Sequence, residues 1–232
     1  MAIEINHRFL NSLIPKEDEY SGIDVLIIGT FNPGLPDTQL MTKTEREDFK
    51  RIEKSTRFVN INSVMNFYDR PQNRFWGIMD RIANKEFYKK NGEKSRNRNG
   101  LKHFKGEDRS TVYKRQKKFC IANGIFITDI VYKISPASFS GIYENFSDTV
   151  IEKANPEFNT DKIVAIIEKY QPNKILVNFD FDSKSIPRIS NEIRTIKNLN
   201  PVRTTSIMSP SGAAGRKYIE LLPEWKKQIV MS

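Results

Sequence analysis

The chain has 232 residues and a formal net charge of +10. At 27.0 kDa it can bury roughly 70–75% of its unfolded surface, so a single α/β domain with insertions fits better than two domains. One cysteine, Cys120, and two histidines, His7 and His103, exclude an intrachain disulfide, an iron–sulfur or cysteine-held zinc site within one chain, and a His-rich metal centre.

In chain order, residues 23–28 form an apolar run with the continuity of a strand covered on both faces. A tight turn follows, Gly29-Thr30-Phe31-Asn32-Pro33-Gly34, in which Pro fixes φ and Gly can supply positive φ. Residues 35–66 read as an insertion, with a short helix opening at the capping-box pattern Thr44-x-x-Glu47. Next comes the aromatic and polar turn Tyr68-Asp69-Arg70-Pro71-Gln72, leading into a helix capped by Asn73 that carries Phe75, Ile78, Met79 and Ile82 at helical spacing. A second insertion covers 86–110. Residues 112–121 are helical and lead into a strand at 124–131. Thr160 is expected to cap a helix bearing Ile163, Ile166, Ile167 and Tyr170. Strands are predicted at 174–179 and 203–208, the latter polar enough for a sheet edge. The last helix, within 215–230, contains Pro223, which should kink or divide it. Strands alternating with helices imply a three-layer α/β/α fold around a mostly parallel four-stranded sheet, with residues 1–232 as one domain.

The positive charge is concentrated. Residues 85–118 hold 13 Lys/Arg against four Asp/Glu, a local excess of +9. Such a stretch is either a solvated loop or an arm that faces phosphates. No apolar run approaches the roughly 20 residues needed to span a membrane, and no signal peptide is visible. A cytoplasmic (or nuclear) location without a membrane partner is therefore expected. Phosphate-loop and dinucleotide fingerprints are absent, which disfavours a nucleotide-dependent enzyme.

Each turn has a plain structural explanation when taken alone. Asn32-Pro33-Gly34 is an ordinary turn, Asn73 a helix cap, and the Ser209-to-Lys217 segment a flexible connection. Taken together and in order, they resemble the uracil-DNA glycosylase superfamily, most closely its mismatch-specific uracil/thymine branch. Thr30-Phe31-Asn32-Pro33-Gly34 is similar to that branch's Gly-Ile-Asn-Pro-Gly. Tyr68, two residues, Pro71, one residue and Asn73-Arg74-Phe75-Trp76 match its second motif. Ser209-Pro210-Ser211-Gly212-Ala213-Ala214, with Arg216 after one further residue, resembles its Asn-Pro-Ser-Gly-Leu-Ser-Arg. The likeness runs from about residue 23 to 230 and includes the 124–131 strand. The chain departs from the family in three ways. Ala213 stands where the family carries a Leu wedge, Ser209 where the classical branch has His, and the four-cysteine cluster of other branches is missing.

The resemblance implies a monofunctional DNA glycosylase acting on double-stranded DNA as a monomer, with no metal and no cofactor. Asn32 would position the attacking water through its carbonyl oxygen. Thr30 and the Phe31 N–H would border the base, with Tyr68 stacking on it. Ser209 and Ser211 would hold flanking phosphates, with Gly212, Ala213, Arg216 and Lys217 on the DNA side. Asp69 and Asn178 are further candidates for contact with base or sugar. No lysine lies within the matched motifs, so no Schiff-base lyase step is indicated. Two other outcomes remain open: a glycosylase for a bulky modified phage cytosine in antiviral defence, and a catalytically silent DNA-binding member of the fold.

Overall fold

The computed structural model describes residues 3–10, 16–39, 41–55, 58, 66–70, 72–91, 100–103, 106–137, 147–211 and 214–229. Its strands are β1 (Ile5–Asn6), β2 (Val25–Gly29), β3 (Ile125–Asp129), β4 (Val131–Ile134), β5 (Glu157–Phe158), β6 (Lys174–Val177) and β7 (Thr204–Ser206). Its helices are α1 (Lys43–Ile52), α2 (Phe75–Ala83), α3 (Lys85–Asn91), α4 (Arg109–Ala122), α5 (Asp148–Lys153), α6 (Thr160–Tyr170), α7 (Pro187–Leu199) and α8 (Tyr218–Gln228).

The expected α/β architecture is present: an all-parallel sheet of order β3-β2-β6-β7, flanked by helices. β2 is buried throughout, with Leu26, Ile27 and Ile28 wholly inaccessible, and the polar β7 lies at an edge as its composition predicts. The chain moves from β2 outward to β3, then returns across β2 to β6 and on to β7. Right-handed crossovers therefore send the β2–β3 connection over one face and the two later connections over the other. The packing agrees: α6 lies on α7, and α2 lies on α8. The reversal of direction at β2 and β6 opens a crevice at their carboxyl ends.

Several local expectations are corrected. The 124–131 run is two strands, because the chain leaves the parallel sheet at Ile130. β4 then joins β1 and β5 in a small antiparallel sheet. The capping box belongs to Thr42 and Glu45, two residues earlier than the Thr44 pattern suggests. Thr160 is the first residue of α6, and its hydroxyl donates to Glu192 Oε2 (2.5 Å) instead of capping. Asn73 does serve the start of α2: its Oδ1 accepts from the Phe75 N–H at 2.9 Å. α8 runs on through Pro223 undivided.

Gly34 is required for close approach, because a Cβ there would stand 2.8 Å from the Asn6 carbonyl oxygen. That contact belongs to a clamp in which β1 grips the Asn32 turn. The Gly34 N–H donates to Asn6 O (2.9 Å), and the Arg8 N–H donates to Asn32 O (2.8 Å).

Gly77 in α2 has a similar role toward α8, since a Cβ would fall 2.2 Å from the Tyr218 hydroxyl. The Arg81 guanidinium lies 4.1 Å from the centroid of the same ring. Gly77→Ala should lose stability in urea denaturation, overpacking of about 1–3 kcal/mol outweighing a helix-propensity gain of about 1 kcal/mol. Adding Tyr218→Phe should recover part of that loss, with a coupling of about 0.5–3 kcal/mol in a double-mutant cycle.

Candidate active site at the carboxyl edge of the sheet

The strand ends are in register: Gly29 pairs with Asp129, Ile28 with Val177, and Val177 with Ser206. The segments that follow them surround a cleft of about 660 Å³. The cleft gathers Thr30, Phe31, Asn32, Tyr68, Asn178, Ser209, Ser211 and Arg216 from four separate parts of the chain. One backbone bond ties two of these parts directly, the Arg74 N–H donating to Pro210 O at 2.9 Å.

The centre of the site is Asp129, whose side chain is 1% exposed. Its Oδ2 accepts from His7 Nε2 at 2.7 Å and from Asn32 Nδ2 at 2.6 Å. The protonation of His7 follows from its other nitrogen. Nδ1 accepts the Phe9 and Leu10 backbone N–H groups at 2.9 and 3.1 Å, so it carries no proton. The proton is therefore on Nε2, and the neutral ring donates to the carboxylate. The same logic fixes Asn32. A carboxylate only accepts, so the amide NH₂ must face Asp129 and the amide oxygen must face away from it. Aromatic rings enclose the histidine, with Phe31 and Phe67 centroids each 5.5 Å from its own.

Tyr68 occupies a left-handed backbone position, φ 59°, that few side chains adopt. The turn is held by the Trp76 Nε1–H donating to Phe67 O (2.8 Å) and by the Phe67 N–H donating to Asn66 Oδ1 (2.8 Å). The Tyr68 ring packs on Phe75 with centroids 4.6 Å apart. Its hydroxyl accepts from Asn178 Nδ2 at 2.6 Å. Burial, helped by the charges of Asp129 and Asp148, pushes the phenol far above its ordinary range, so the hydroxyl stays neutral. Gly29 makes room for this assembly, because a Cβ there would lie 2.2 Å from Asp129 Oδ1 and 2.9 Å from the Tyr68 hydroxyl.

A second carboxylate, Asp148 at the start of α5, lines the cleft. Burial raises its pKa, the nearby Asp129 charge adds to the rise, and a hydrogen bond from the Thr30 hydroxyl opposes it. Thr30 thus borders the cleft as expected, with its hydroxyl committed to Asp148. Counting side chains, the cleft holds four carboxylates (Asp129, Asp148, Asp180, Glu224) and two guanidinium groups (Arg70, Arg216). That interior favours developing positive charge.

Four sequence-predicted site residues, Asp69, Lys217, Gly212 and Ala213, stand differently from the rest. Asp69 does not line the cleft; it accepts from Gln116 Nε2 at 3.2 Å and lies 3.8 Å from Arg109 Nη1 in a neighbouring hollow. Lys217 is exposed at the start of α8, its N–H donating to Glu220 Oε2 at 2.7 Å, and it is not part of the cleft wall. Gly212 and Ala213 lie outside the described residues, as does Pro71. Sequence reasoning missed His7, Asp129 and Asp148. Asp129 carried a visible signal, an acid closing an apolar strand. His7 carried none.

Among the described residues no helix is long and apolar enough to cross a membrane, and no group of three or more His, Cys, Asp or Glu side chains is placed to hold a metal ion. Comparison with protein-family models and with curated proteins finds no match for the chain.

The raised Asp148 carboxyl has a measurable consequence for stability. The folded state binds its proton more tightly than the unfolded state does. Ionisation therefore costs stability as pH rises from the ordinary value of 3.8 through the raised one. Asp148→Asn should melt at a higher temperature than the wild type at pH 7. The difference should shrink as pH falls toward 3.8, as followed by circular dichroism across pH.

Proposed function

We propose that the protein is a monofunctional DNA glycosylase that hydrolyses the bond between a flipped-out base and its deoxyribose, leaving an abasic site. The observation that carries this reading is the oriented amide: His7 and Asp129 hold Asn32 so that its carbonyl oxygen is turned from the carboxylate, at the wall of a cleft shared with Tyr68, Asn178, Ser209 and Ser211.

Glycosidic cleavage passes through an oxocarbenium-like sugar cation. In this reading the Asn32 carbonyl oxygen accepts a hydrogen bond from a water and aligns it with the sugar C1′. The amide itself takes no proton at neutral pH, so the proton must go elsewhere. Asp148 is suited to receive it, because it lines the same cleft, carries only the Thr30 hydrogen bond as a counterweight, and has a raised proton affinity. As the C1′–N bond breaks, its electron pair leaves with the base, the water oxygen bonds C1′, and the water's proton passes to Asp148. The departing base then takes up a proton. The surplus of carboxylates stabilises the sugar cation between these steps. The Phe31 N–H can donate to a carbonyl on the leaving base, and the Tyr68 ring provides a stacking surface worth about 1–3 kcal/mol per base. Ser209, Ser211 and Arg216 meet the phosphates.

The activity test is incubation with duplexes containing uracil, mismatched thymine or modified cytosines, followed by alkali cleavage at abasic sites. The cleft volume keeps bulky modified cytosines among the substrates to be assayed. Asn32→Ala should abolish base release while the circular dichroism spectrum stays native. Release that persists in this variant would remove Asn32 from catalysis, and the absence of product from every duplex would favour a silent DNA-binding protein.

Asp148→Asn should slow single-turnover cleavage about 100-fold or more. The wild-type rate should fall as pH drops through the raised Asp148 value, an acid limb above the ordinary aspartate range that the variant lacks.

A further inference from the structure

Beside the cleft, across Tyr68, lies a second hollow of about 280 Å³. Tyr68, Arg70 and Asn73 border both spaces, so the two communicate along one wall. The second hollow has the opposite charge. Arg70, Lys102 and Arg109 face a single carboxylate, Asp69, whose side chain is only 4% exposed and is already matched by Arg109. His103 adds an imidazole.

Arg109 Nη1 and His103 Nδ1 are buried with no hydrogen-bond partner among the described residues; the 3.8 Å from Arg109 to Asp69 is an ion pair too long for a hydrogen bond. A buried guanidinium N–H without an acceptor costs free energy, and an anion with several oxygens would supply the acceptor; His103 Nδ1 donates to the same anion in the tautomer that carries its proton there. Lys102 is held at the rim by donating to Asn73 O at 3.4 Å, on the stretch that links Tyr68 to α2.

We propose that this hollow is a phosphate site, and that it takes a phosphodiester of the DNA strand whose nucleotide enters the cleft. The inference rests on the DNA reading of the cleft and extends it to the basic 85–118 stretch, to which Lys102, His103 and Arg109 belong. A nucleotide undergoing glycosidic cleavage is anionic at its phosphates and cationic at its sugar. Adjoining spaces of opposite sign, separated by one aromatic ring, match that distribution and set which way the strand runs across Tyr68.

The test measures binding of the full chain to a duplex of natural bases by fluorescence anisotropy over a range of salt. Removing one phosphate contact should make the plot of log K against log salt shallower by about 0.9, for Lys102→Met and for Arg109→Met alike. Lys102→Met does not touch the Asp69 ion pair, so it stays informative if Arg109→Met folds poorly. Slopes unchanged in Lys102→Met would overturn the proposal. Calorimetric titration with inorganic phosphate separates the two sources of the ligand. Tight phosphate binding that Lys102→Met abolishes, alongside an unchanged duplex slope, would make this a free-anion site and sink the phosphodiester assignment. Base release enters neither readout, so a chain that binds in this way but never cuts would refute the glycosylase reading and leave the phosphate site standing.

Discussion

The candidate site depends on one buried carboxylate. Asp129 is the last residue of β3, inaccessible to water, and its Oδ2 receives both the His7 ring N–H and the Asn32 amide. A buried charge of this kind is tolerated only when its partners are in place. Here those partners come from the N-terminal segment and from the turn after β2. The carboxylate thereby converts an amide that could face either way into one with a single orientation. Gly29 permits the approach and the β1 clamp holds the turn, so strand register, backbone clamp and amide orientation form one continuous mechanical unit.

Around this unit the charges are separated by sign. The cleft is rich in carboxylates, and the neighbouring hollow is rich in cations. The fold achieves this by giving the two regions different sources. The acids come from strand ends, the first turn of α5 and, for Glu224, α8; the cations come from the Tyr68 turn (Arg70), from Lys102 and from the first residue of α4, Arg109. Asp80 ties Leu101, the neighbour of Lys102, to α2. Its carboxylate accepts from Asn84 Nδ2 and the Leu101 N–H, at 3.0 and 3.3 Å, and from the Tyr88 hydroxyl. Lys102 and His103 are thus held beside α2, in the hollow next to the cleft.

The parallel sheet was legible because its strands are short, apolar and bounded by turn residues, a pattern that survives without tertiary context. The convergence of Asn32, Tyr68, Asn178 and Ser209 was legible for a related reason: each sits just past a predicted strand or turn, and parallel strands deliver such residues to one edge. The small antiparallel sheet was not legible. Two-residue strands such as β1 carry no periodicity, and the turn of the chain at Ile130 interrupts an apolar run without a Gly or Pro to mark it. His7 was hidden with β1. The regular Ile186, Ile189, Ile193 and Ile196 spacing of α7, with Pro187 at its first position, could have been read and was not. Asp69 shows the opposite failure. Adjacency to Tyr68 in sequence suggested the cleft, yet Tyr68, in its left-handed turn, borders both hollows while Asp69 reaches only the second.

The 122-residue gap between His7 and Asp129 has a consequence of its own. Contacts across such separations incur a large loop-closure entropy and form slowly relative to local structure. A partly folded chain, with helices and even the sheet in place, would still lack the His7 bond to Asp129 and the β1 clamp on the Asn32 turn until its N-terminal segment docked. The finished geometry of the cleft and the completion of folding would then arrive together.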